Sequence, residues 1–178
     1  MVYWSELIGT PVYAGNKKAG HVEDMILNTN EKIVAGFLLE KRNLDLHRRY
    51  FTFNSILHAG KDRIVVKEPS DIRILKKAQK RKMVFAENLI NHPVFDNRDE
   101  YVGRVADFCF EPANGIVREI IISNSLLGDL WSGRKKLPVL GRVEFSGEFI
   151  QINRDAREEI YSMNKGLKRW IRINTPPI

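Results

Sequence analysis

Asp24 and Asp107 stand in matching surroundings 83 positions apart, and a carboxylate held at a fixed place can act as a base or a ligand. Gly20-His21-Val22-Glu23-Asp24 and Gly103-Arg104-Val105-Ala106-Asp107 share the pattern Gly-x-Val-x-Asp, and three apolar residues follow each. A pair produced by duplication need not meet in space, and aspartates at strands and turns readily bond neighbouring backbone. The pattern predicts scaffold: glycine for a turn, aspartate for local backbone bonding. His21, His47, His58 and His92 show no i, i+4 pairing and no adjacent cysteine, so no zinc spacing is present. There is no Gly-x-Gly-x-x-Gly or Walker-type loop and no Ser/His/Asp arrangement. Cys109, the single cysteine, lies in an apolar strand pattern without a neighbouring base and reads as a core residue. The expectation is a protein that is not an enzyme, with no catalytic residue, metal ligand or cofactor.

Two kinds of surface remain for binding. Between two apolar runs lies Ser123 to Lys136, where a loop should be polar, yet it holds Leu126, Leu127, Leu130 and Trp131 beside Arg134, Lys135 and Lys136. A tryptophan with leucines, bordered by cations, is the composition of a protein-docking site. The same side chains can instead fold back over a barrel mouth. The corresponding loop of the first copy is basic, with Lys41, Arg42, Arg48 and Arg49. With Lys76, Lys77, Lys80, Arg81 and Lys82, and with Lys165, Lys168, Arg169 and Arg172 of the tail, these cations form a candidate polyanion-binding surface. A merely solvated basic face explains them as well. Of the net charge of +7, residues 70–87 contribute +4 and residues 154–178 contribute +3, so the excess lies in a connector and a tail.

The elements that position these residues repeat. Leu7-Ile8-Gly9-Thr10-Pro11-Val12-Tyr13 returns as Leu89-Ile90-Asn91-His92-Pro93-Val94-Phe95. Ile33 to Leu39 returns as Ile116 to Ile122, and Ile64-Val65-Val66 as Phe149-Ile150-Gln151-Ile152. Short apolar strands separated by turn signals at this density predict small antiparallel barrels. A helical turn is expected at Ser5 to Gly9, capped by Ser5. A basic helix is expected from Asp71 to about Lys82. An amphipathic helix is expected in the tail, where Ala156, Ile160, Met163, Leu167, Trp170 and Ile171 recur at helical spacing. The predicted organisation is a first barrel at 1–69, a connecting helix at 70–82, a second barrel at 83–153, and a helical tail at 154–178.

Taken in order, Leu-Ile-x-x-Pro-Val, Gly-x-Val-x-Asp, a hairpin and an apolar strand resemble the PRC-barrel. This module is found in the photosynthetic reaction centre H subunit and at the C-terminus of a ribosome maturation factor. The resemblance implies a mainly β protein, two small antiparallel PRC-type barrels in tandem, each followed by a helix. It implies binding or assembly without shared catalytic residues. With 29% charged residues, no apolar run near 18 residues and no signal-like start, a cytoplasmic location is expected. The first expectation is an adaptor docking a protein partner through barrel loops. The alternatives are a binder of RNA or a ribosomal precursor and a protein attached to an anionic membrane surface. A homodimer is a further partner state consistent with the sequence.

Overall fold

The computed structural model describes residues 1–41, 47–124, 133–139 and 143–162, without the side chains of residues 154, 155 and 162. The chain begins with β1 (Val2–Tyr3), α1 (Trp4–Leu7), β2 (Pro11–Ala14), β3 (Lys17–Asn28) and β4 (Ile33–Leu39). It continues through β5 (Arg49–Thr52), β6 (Ile56–Ala59), β7 (Ile64–Val66) and β8 (Arg73–Ile74). After α2 (Lys77–Lys80), β9 (Val84–Phe85) and α3 (Ala86–Leu89), the second copy supplies β10 (Pro93–Asp96), β11 (Tyr101–Phe110) and β12 (Val117–Ser123). It closes with β13 (Lys135–Pro138), β14 (Val143–Phe145), β15 (Ile150–Ile152), α4 (Arg154–Glu158) and β16 (Tyr161–Ser162).

The two sheets have one topology. The first runs β6-β7-β2-β3-β4-β5-β8 and the second β14-β15-β10-β11-β12-β13-β16. Both curl as half-barrels, and the protein is mainly β with small helices. Most neighbouring strands pair antiparallel, as expected, and one pair in each sheet is parallel. β2 pairs with β7, and β10 with β15, in parallel, so Val12 faces Ile64 and Val94 faces Ile150. The intervening strands are long enough to carry the chain back to the same end before it closes the sheet.

The repeated glycines lie inside strands rather than in turns. Gly20 faces Val12 and Gly103 faces Val94, and immediately beyond each pair the ladder slips register. A glycine opposite a bulge is a common solution, because the backbone there twists and comes close to its neighbours. At Gly103 (φ 154°) an added Cβ would lie 2.3 Å from Ile122 and 2.9 Å from the Ser123 carbonyl.

Both expected helices prove shorter. The connector forms a 3-10 turn at Pro69–Asp71, an edge strand at β8 and a single α-turn at α2. Asp71 is not the cap of a long helix. Its carboxylate accepts from the Glu68 N–H at 3.1 Å. Two effects defeat the longer helix. The β8 backbone pairs with Arg49 and Tyr50, and the following Leu75 N–H donates to the Arg48 carbonyl at 2.8 Å. Five cations within seven residues would also repel one another along a helix. In the tail, α4 ends at Glu158 and β16 pairs with Lys135 and Lys136, so a continuous helix through Tyr161 is excluded. Met163, Leu167, Trp170 and Ile171 lie outside the described residues. At the first turn the helix starts at Trp4 rather than after Ser5, with the Tyr3 N–H donating to Glu6 (3.2 Å), and Gly9 at φ 80° ends it.

The chain forms two compact units, one of Met1–Leu89 with Cys109–Val117, the other of Ile90–Phe108 with the chain from Arg118 onward. In the first unit the edge strands are exchanged. β1, which precedes the first copy, pairs with Cys109–Phe110 of the second copy's long strand. β9, which precedes the second copy, pairs with Ile26–Leu27 of the first copy's long strand, in the equivalent register. Phe110 packs between Phe37 and Phe53, with ring centroids 6.3 and 6.4 Å away, at the spacing where aromatic pairs attract. A second cluster holds Ile26, Leu38, Tyr50, Leu75 and Phe85, with Ala35 and Met83 against it. Cys109 is fully buried. In the second unit Val94, Ile120, Ile122, Leu137 and Ile150 are completely enclosed.

Candidate functional site

The best-defined candidate surface is the basic turn around α2. Leu75, only 7% exposed, enters the cluster before the turn, and Met83 and Phe85 enter it afterwards. Apolar anchors thus fix both ends of a short polar excursion. Lys76, Lys77, Lys80, Arg81 and Lys82 are all exposed along it. The turn closes through the Lys80 N–H on the Lys76 carbonyl (3.0 Å), and the Gln79 side chain accepts from the Lys76 N–H (3.1 Å). Among the described residues no carboxylate forms an ion pair with any of the five cations.

The other predicted cations have different surroundings. Arg48 pairs with Glu23, and Arg49 donates to the Ala19 carbonyl at 3.0 Å. Arg49 and the residue preceding it thus tie the start of β5 to β3 within the first sheet. Lys136 pairs with Glu119 at 2.7 Å across β13 and β12 and is mostly buried. Lys135 faces a cavity of the second unit, and Arg134 is exposed. Lys41 is exposed at the end of the described part of its loop. Arg42, Leu126, Leu127, Leu130 and Trp131, together with Lys165, Lys168, Arg169 and Arg172, lie outside the described residues.

The paired aspartates bond their own backbone. Asp24 accepts from the Met25 N–H at 2.7 Å and Asp107 from the Phe108 N–H at 2.8 Å. Asp24 also accepts from the Trp4 indole N–H at 2.9 Å and the Glu87 N–H at 3.3 Å, joining β3 to α1 and α3. Burial raises its carboxyl above the usual range, and the donated hydrogen bonds offset only part of that effect. His21 meets Glu40 at 3.1 Å, and His92 meets the Gly147 carbonyl at 3.1 Å. Among the described residues no group of three His, Cys, Asp or Glu side chains could hold a metal ion.

The second unit has a charged knot that repeat matching passes over, because the first copy has Ala14 where the second has Asp96. Asp96 accepts from the Arg98 N–H (2.9 Å) and the Glu100 N–H (3.0 Å), closing the β10–β11 turn. The Arg157 guanidinium, from α4, bridges Asp96 and Glu100. Burial alone would raise the Asp96 carboxyl. The two N–H donors and Arg157 prevail and hold it below the usual range. The available cue was Asp96-Asn97-Arg98-Asp99-Glu100, an acidic turn whose first carboxylate can accept the N–H groups behind it.

Arg157 also borders a cavity of about 300 Å³ with Tyr101, Asn124, Lys135, Ile160 and Tyr161. Tyr101 and Tyr161 are each 48% exposed. The Asn124 amide donates to the Val102 carbonyl (2.8 Å) and accepts from Lys135 Nζ (3.1 Å). Nothing in the repeat pattern marked Tyr101 or Tyr161, since matching copies emphasises shared residues and these belong to the second copy alone.

No helix among the described residues is long and apolar enough to cross a membrane. No curated protein matches the chain. The profile of the PRC-barrel domain matches it twice, over residues 1–73 and 81–156. The repeated sheet order and the twofold match have one meaning: this chain belongs to the PRC-barrel family and carries two copies of the domain in tandem.

Proposed function

We propose that the protein is a non-catalytic cytoplasmic binding module that engages RNA through the basic turn at Lys76–Lys82. The observation that supports this reading is five exposed cations on a seven-residue excursion, anchored at both ends by buried apolar residues and without a carboxylate partner among the described residues. Such a cluster is preorganised for phosphate, because its cations need not leave a protein partner first. Membrane attachment fits the turn less well. Ala78 and Gln79 are the only other residues within it, so no large apolar side chain can enter a bilayer beside the charges. The adaptor reading rests on Leu126, Leu127, Leu130 and Trp131 and predicts a different outcome in the same experiment.

The test is titration of the full chain with a labelled RNA over a range of salt. Five phosphate contacts predict affinity falling about 100- to 500-fold between 50 and 200 mM salt. Replacing Lys76, Lys77 and Lys80 with Gln should flatten the log–log slope by about 2 to 3. Undetectable or salt-independent RNA binding would sink the proposal. A Leu127→Ser, Trp131→Ser variant that lost a protein partner while keeping its RNA profile would support docking through the loop.

A further inference from the structure

We propose that the cavity in the second unit seats one unpaired nucleotide of an RNA strand, its base stacked on Tyr101 and its phosphate on Lys135. The proposal rests on the RNA-binding reading above and adds a site of different chemistry to it. At about 300 Å³ the cavity lies at the small end of ligand pockets and admits one planar heterocycle with its sugar. Tyr101 and Tyr161 both line it, and each is 48% exposed.

Each ring is braced from outside the cavity. Tyr101 meets Phe95 edge-on, with centroids 6.0 Å apart. The Tyr161 hydroxyl donates to Glu119, and Lys136 lies 6.0 Å from the centre of its ring. A half-exposed aromatic ring braced by a neighbouring ring, as Tyr101 is by Phe95, is what base stacking requires, and it loses little freedom on binding.

The charges complete the chemistry. Lys135 reaches the cavity with its ammonium on the Asn124 amide oxygen, and none of the described lining residues is acidic. Arg157 forms another wall, but Asp96 and Glu100 hold its guanidinium from behind. Lys135 is therefore the cation with capacity for a phosphate, while Arg157 serves as a fixed side wall. An acidic peptide would use Lys135 but leave the Tyr101 ring unused. A ligand with a planar face and one phosphate uses both features. The stacking surface therefore belongs to the second copy alone, as Arg73 and Lys18 occupy the corresponding strand positions of the first.

The experiment compares oligouridylate with a blunt-ended RNA duplex, using the full chain and its Tyr101→Ser, Tyr101→Phe and Lys135→Gln variants. A single strand can present an unstacked base and a paired duplex cannot. The wild type should prefer oligouridylate. Tyr101→Ser should weaken that binding about tenfold to 100-fold and leave duplex binding and the salt slope unchanged. Tyr101→Phe should restore it, which separates stacking from loss of fold. Equal binding of oligouridylate by wild type and Tyr101→Ser would overturn the proposal and leave the basic turn standing. Lys135→Gln should weaken oligouridylate binding as well. If neither RNA binds, both proposals fall. Oligouridylate binding that depends on Tyr101 but is unchanged by Gln at Lys76, Lys77 and Lys80 would overturn the basic turn and leave the cavity standing.

Discussion

The Trp4 indole N–H donates to Asp24 at 2.9 Å, binding the first helical turn to the long strand of the first barrel. The same carboxylate accepts from the Met25 and Glu87 N–H groups, so one buried group satisfies three donors from three elements. Asp24→Ala would orphan all of them, at a cost of about 1–3 kcal/mol. Trp4→Phe removes a single donor and should cost less, about 0.5–1.5 kcal/mol, setting aside lost packing. Urea unfolding of both variants gives the order directly, and a larger loss for Trp4→Phe would contradict the hub role of Asp24.

A pH dependence follows from the same carboxyl. Its folded value is raised by burial, so between the ordinary value of 3.8 and that raised value the folded chain binds more protons than the unfolded one. Stability from Asp24 is therefore greatest in acid and declines as pH rises through that window. Asp24→Asn should remove this decline. Asp96 acts in the opposite sense. Its folded value is lowered, so its contribution is present above 3.8 and is lost as pH falls through the folded value. Unfolding free energies of Asp24→Asn and Asp96→Asn across acid pH should therefore deviate from wild type with opposite slopes.

The two repeated glycines offer a matched comparison. Gly20 and Gly103 share φ values of 156° and 154°, but their crowding differs. An added Cβ at Gly20 finds its nearest neighbour at 3.7 Å, and one at Gly103 finds Ile122 at 2.3 Å. Gly103→Ala should be more destabilising than Gly20→Ala by about 1–3 kcal/mol, because the conformational strain cancels and the overpacking remains. Equal losses in thermal unfolding would show that φ alone decides.

The basic turn should be separable from the fold. Replacing Lys76, Lys77 and Lys80 with Gln touches only exposed side chains and should change stability by less than about 0.5 kcal/mol. Leu75→Ala, by contrast, removes a buried anchor beside the turn and should cost about 2–5 kcal/mol. A stable Lys variant with lost RNA binding assigns the effect to charge rather than unfolding.

The sequence made the barrels legible because Gly-x-Val-x-Asp and the apolar runs around it are periodic features of single strands. The parallel closure of β2 on β7 escaped it, since periodicity reports which face is buried and not the direction of the neighbour. The helix expected at 71–82 failed for a tertiary reason. Arg73 and Ile74 gain an edge pairing with Tyr50 and Arg49, and local spacing cannot register that gain. The basic side chains of 76–82 were visible from composition. Which cations were engaged elsewhere was not, because Arg48–Glu23 and Lys136–Glu119 join residues distant in sequence.

The exchanged edge strands have a consequence for the order of biosynthesis. Val2 and Tyr3 leave the ribosome first, yet their partners Phe110 and Cys109 are made more than 100 residues later. At ordinary elongation rates that is a delay of roughly 5–20 s. Once Phe85 has been made, the nascent first copy has β9 to pair with β3 but still lacks the strand that β1 requires. Its N-terminal residues then present an open backbone ladder to any chaperone or neighbouring polysome. The first compact unit to finish is therefore not the first copy to be translated, and a ribosome stalled between Leu89 and Cys109 would hold a chain whose opening strand has nowhere to go.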